Sequence, residues 1–90
     1  MAHVDILILG RDTCEDTIQS RVFLTRARIP FRYLSWEHDP ETETAVRDHN
    51  DGNVVTPTIL IGDPDQPSRV LVEPSDEDLD RAIVEAGGGL

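Results

Sequence analysis

Apolar and polar positions switch between two periods along this chain, and the switches mark its elements. "HVDILIL", residues 3–9, is a near-continuous apolar run and predicts a strand covered on both faces, broken by Gly10. Residues 14–28 carry a helical stripe of Ile18 and Val22 and, offset, Phe23, Leu24 and Ala27. Asp12 with Glu15, or Thr13 with Asp16, gives the cap-x-x-acid pattern that opens such a helix, and either choice puts Cys14 in its first turn. Pro30 ends the helix, and "FRYLSW", 31–36, predicts a second strand. "DPETETAVRDHN", 39–50, predicts a short polar helix with Pro40 in its first turn and Gly52 past its end. "TPTILIG", 56–62, and "SRVLV", 68–72, predict two strands joined by the turn "DPDQP" into an antiparallel hairpin. "PSDEDLDRAIVEA", 74–86, predicts the last helix, capped by Ser75, with Leu79, Ala82, Ile83 and Ala86 as its stripe. "GGGL" reads as a frayed tail.

The predicted order is β-α-β-α-β-β-α, an α/β arrangement in one domain over residues 1–90, with no repeat or linker. A helix between the first two strands makes them parallel by a right-handed crossover. The result is a four-stranded mixed sheet with helices on both faces. Ligands of open α/β sheets bind beyond the carboxyl ends of parallel strands, and Cys14 follows the first strand directly.

Composition narrows the function classes. Hydrophobic content of 38% in short runs suits a globular chain, and no run approaches the roughly 20 residues that span a bilayer. The N-terminus has no basic region ahead of a long apolar one, so no signal peptide is expected. Cys14 is the only cysteine and cannot form an internal disulfide, which fits a reducing compartment and points to the cytoplasm. The net charge of −10 argues against nucleic acid and anionic membrane as partners. It reads as solubility or adaptation to an acidic proteome, or else as a face for a basic partner. His3, His38 and His49 lack metal-ligand spacing. Trp36 is assigned to the core, and Tyr33 to packing with its hydroxyl at the rim.

Thiol chemistry requires thiolate, and a helix N-terminus or a cation lowers a cysteine's pKa. Cys14 has the helix start, with Arg11 and Arg21 as candidate cations. Glu15 and Asp16 oppose them at similar range, leaving the sign of the sum open. The bland alternative is a small, inert, partly buried residue.

Three stretches carry a resemblance: "GRDTCEDT" after the first strand, "VVTPT" opening the third, and "VEPSDEDL" opening the last helix. With this spacing the chain resembles the glutaredoxin family of the thioredoxin fold, mycoredoxin-like and small bacterial members most of all. The resemblance implies that Cys14 is the catalytic nucleophile and that Thr17 stands where dithiol members have a resolving cysteine. It implies that Pro57 is the cis-proline facing the nucleophile and that Thr56 offers backbone groups to a bound thiol. Arg11, Thr13, Ser75 and Asp76 complete the implied contacts to a low-molecular-weight thiol. Two departures stand out: Glu15-Asp16 replaces the usual Pro- or Gly-aromatic pair, and Thr13 replaces an aromatic. The implied activity is single-cysteine thiol–disulfide exchange with glutathione or mycothiol as co-substrate and no bound cofactor. The implied partners are that thiol and thiolated or disulfide-containing client proteins, with the chain itself a monomer. The alternatives are a non-catalytic binding module with a decayed redox site and, against the bulky acids after Cys14, an iron–sulfur carrier.

Overall fold

The computed structural model describes residues 4–87, so His3 and residues 88–90 of the tail lie outside the described residues. Its elements are β1 (Ile6–Gly10), α1 (Glu15–Arg26), β2 (Arg32–Ser35), α2 (Glu41–His49), β3 (Thr58–Asp63), β4 (Gln66–Val72) and α3 (Asp76–Glu85). The order matches the one the hydrophobic pattern predicts. One sheet runs β2-β1-β3-β4, with β1 and β2 parallel and the other pairs antiparallel.

The unbroken apolar run of β1 has a plain cause: both faces of the strand are covered. Ile6 and Ile8 face α1 and α3, where they pack with Leu24, Ile59, Ile61, Leu79 and Ile83. Leu7 and Leu9 face α2, packing with Val46 and Leu60. Strand residues alternate between faces, so one sequence run feeds two cores. A buried leucine or isoleucine in either core holds about 2–5 kcal/mol against truncation to alanine.

Several boundaries and one helix face differ from expectation. The hairpin turn is tighter than "DPDQP": Asp63 pairs with Gln66, so β4 begins at Gln66 and only Pro64 and Asp65 turn the chain. On α1 the buried residues are Thr17, Ser20 and Leu24, whereas Ile18 and Val22, expected on the buried stripe, are 42% and 40% exposed. The reason lies at Gly10. A Cβ there would stand 2.5 Å from Thr17 Cγ2, so α1 approaches β1 closely through small side chains and turns its branched ones outward. Ala27 and Ala86 are likewise exposed, each lying at the end of its helix. Trp36 is half-buried and belongs to neither apolar core.

Candidate active site

Cys14 itself is the N-cap of α1, so neither Asp12 nor Thr13 takes that place. Its backbone is extended and its carbonyl accepts the first helical bond, from Ile18 N–H at 3.0 Å. No side chain caps this helix in the thiol form. Asp12 is committed elsewhere. Its carboxylate accepts from the Tyr33 hydroxyl at 2.6 Å and pairs with His38 Nε2 at 3.1 Å.

The half-buried Cys14 thiol donates to the Thr56 carbonyl at 3.6 Å. The Thr56–Pro57 peptide is cis and Pro57 is buried. This segment is held from below. Thr58 donates to Val55 O at 2.8 Å and accepts from Asn50 Nδ2 at 3.0 Å, and Asn50 also donates to Val46 O. The end of α2 thereby fixes the loop that faces the cysteine.

Burial pushes the Cys14 thiol up, but hydrogen bonds outweigh it and the net pKa is lowered. The hydroxyls of Thr17 and Thr56 act first, then the N–H groups of Thr17 and Asp16. These amides are free at the helix start, and an anionic sulfur in the N-cap place can accept from them. Thr17 is fully buried beneath the sulfur, and its Oγ1 also accepts from Arg11 N–H at 3.4 Å. Its buried side chain lies below any surface a ligand could touch.

The other residues that the resemblance implies are in different states. Arg11 is exposed, with its guanidinium 5.7 Å from the Trp36 ring centroid. Thr13 is exposed beside Cys14. Ser75 caps α3, its Oγ accepting from Asp78 N–H at 3.1 Å. Asp76 accepts from Gln19 Nε2 of α1 at 3.3 Å. Glu73 N–H donates to Pro57 O at 3.0 Å, which ties the approach to α3 onto the proline loop. Arg21, the other candidate cation, stacks on Tyr33 at 4.1 Å from the centroid.

A second polar group, illegible in the sequence, stands beside the cysteine loop at the carboxyl ends of β1 and β2. Asp12 N–H and the Ser35 hydroxyl both donate to Glu37 Oε1, at 3.0 and 3.1 Å, and Ser35 N–H donates to Asp39 Oδ2 at 3.0 Å. The Tyr33 hydroxyl bond holds Asp12 below the usual carboxylate range. Burial, and then the bond to Asp12, push Tyr33 up to about 12. The signal that could have found this group is the parallel pairing of Gly10 with Ser35, which brings the residues after both strands together. Among the described residues, no cluster of His, Cys, Asp or Glu is placed to hold a metal ion, and no helix is long and apolar enough to cross a membrane.

No family model matches the sequence, and no curated protein matches it either. Among solved structures, the chain is similar to the solution structure of the oxidised thioredoxin from Plasmodium falciparum. The match has a TM-score of 0.64 at 13% identity and covers 93% of this chain and 81% of that one. The protein has the thioredoxin fold: a four-stranded mixed sheet in β-α-β-α-β-β-α order, carrying a single cysteine.

Proposed function

We propose that the protein is a single-cysteine, glutaredoxin-like thiol–disulfide oxidoreductase acting on mixed disulfides between a client protein and a low-molecular-weight thiol. The observation that carries this reading is the state of Cys14: half-exposed, at the cap of α1, against the Thr56–Pro57 loop, with its pKa lowered by hydrogen bonds. The thiolate attacks the small-thiol sulfur of the mixed disulfide. That S–S bond breaks, a Cys14–small-thiol disulfide forms, and the client leaves as a thiolate that takes up a proton. A second small thiol, as its thiolate, attacks the new disulfide, giving the small-molecule disulfide and restoring the Cys14 thiolate. With no second cysteine in the chain, release depends on that external thiol.

Arg11, Thr13, Thr56, Ser75 and Asp76 are the residues proposed to meet the small thiol, glutathione or mycothiol. A cytoplasmic monomer without bound cofactor fits this cycle. The second reading, a binding module without exchange activity, draws on the two acids that follow the cysteine. Mass spectrometry after mixing the protein with glutathione and mycothiol disulfides separates the two. Transfer of one small thiol to Cys14, absent in Cys14→Ser, supports exchange. Absence of any adduct up to a pH of about 9, where an unperturbed thiol is largely ionised, leaves the binding module.

A further inference from the structure

The outward face of α1 leaves apolar surface open in a protein that is otherwise strongly acidic. Ile18, Arg21, Val22, Thr25, Arg26 and Phe31 line a groove of about 490 Å³. A smaller cavity, about 190 Å³, shares Phe31 with it and is lined also by Pro30 and Arg32. The groove begins one helical turn from the cysteine, since Ile18 N–H closes the first turn on Cys14 O.

Its charge is opposite to that of the whole. The chain has a net charge of −10 and eight cationic side chains, all arginine. Arg47, Arg69 and Arg81 are neutralised by Glu43, Glu85 and Glu77 at 2.7–3.0 Å. The other five fall within residues 11–32. No carboxylate lines the groove. Asp12 acts electrostatically on Arg21 from outside the lining, Glu15 and Asp16 stand beside Cys14, and Asp5 lines the smaller cavity. Arg26 sits in the last turn of α1, where it offsets the helix dipole with its guanidinium facing water.

We infer that this groove is a docking site for an acidic amphipathic segment of a partner protein, with apolar side chains on Ile18, Val22 and Phe31 and carboxylates on Arg21 and Arg26. Charge complementarity selects this occupant. An arginine-rimmed groove repels its own copy in a symmetric dimer, and the net charge of −10 repels an anionic lipid surface. Arginine suits the task, because its planar head pairs carboxylates bidentately while its stem packs on apolar surface.

The test is an unbiased selection from a displayed library of short random peptides lacking cysteine, so that the readout stands whether or not Cys14 reacts. Enriched peptides should place Asp or Glu beside Leu, Ile or Phe. Bound peptide should shift the amide resonances of Ile18, Val22, Thr25 and Phe31. Arg26→Glu should weaken binding about tenfold or more, and Val22→Asp should do the same by a different chemistry. Far-ultraviolet circular dichroism should show both variants folded, as expected for exposed positions. No enrichment, enrichment of basic peptides, or affinity unmoved by both substitutions overturns the inference. So does self-association through this face in sedimentation equilibrium, or flotation of the protein with phosphatidylserine vesicles.

Discussion

The first turns of α1 and α3 both carry acids, Glu15 and Asp16 in one and Asp76, Glu77 and Asp78 in the other. Both helices lie on the same face of the sheet and share one apolar core. Their caps differ. Ser75 closes α3 by accepting from Asp78 N–H, whereas Cys14 stands in the same place on α1 and makes no cap bond as a thiol. A hydroxyl cap satisfies backbone amides at all ordinary pH values. A thiol cap leaves them open until the sulfur ionises, so stabilisation of the helix start becomes stabilisation of the thiolate. The same local geometry therefore builds structure in one helix and reactivity in the other.

Making α1 resemble α3 is the strongest way to break this contrast. Cys14→Ser should abolish small-thiol transfer in the mass-spectrometric assay. The same change should stabilise the protein by roughly 0.5–1 kcal/mol in urea unfolding, because a serine takes up the cap bond. A destabilised Cys14→Ser protein would show that the amides of Asp16 and Thr17 are not available to a cap.

The next effect concerns Asp12, which the contrast requires to stay out of the cap. Tyr33 is the chain's one tyrosine, and its absorbance should titrate near 12 against an ordinary 10.0. Its folded pKa is raised above the unfolded one. The stability it contributes is therefore full below about 10 and lost as pH rises through about 12. Asp12→Asn should bring the midpoint partway down, because burial continues to hold the phenol's pKa up. An unmoved midpoint would free Asp12 from Tyr33 and reopen its role as a cap.

Ser75→Ala should cost about 1 kcal/mol in urea unfolding, since it removes the one side-chain cap of α3. The smallest effect comes from the acids of α1. Glu15→Gln with Asp16→Asn should destabilise by under about 1 kcal/mol and should modestly speed alkylation of Cys14 near neutral pH. An unchanged alkylation rate would mean that both carboxylates point away from the sulfur.

These contrasts also show what could be read from the residues. α3 was legible because one strong apolar stripe, Leu79-Ala82-Ile83, follows a serine cap and three acids, all local signals. The strand-to-helix place of Cys14 was legible from the chain order, whereas the cis Pro57 was expected only through the resemblance. The buried face of α1 was not. Counting apolar residues favours Ile18 and Val22, but contact with Gly10 and β1 admits only small side chains, and Thr17 and Ser20 take the place. The Asp12–Tyr33–His38 group was also hidden. Its members lie 21 and 26 positions apart from Asp12 and meet only through the β1–β2 register. Trp36 was read as core from its place at the end of the second strand, yet it lies half-exposed with the Arg11 guanidinium over its ring.

The central claim is that hydrogen bonds at the start of α1 stabilise the Cys14 thiolate. The most direct measurement is the rate of alkylation by iodoacetamide as a function of pH, for the native protein and for the same protein unfolded in urea. Native Cys14 should titrate below the unfolded thiol, whose ordinary value is about 8.5. By linkage, the stability it adds is full above the unfolded pKa and lost as pH falls through the native one. A native midpoint at or above the unfolded one would contradict the account, leaving α1 simply uncapped and Cys14 without an activated sulfur.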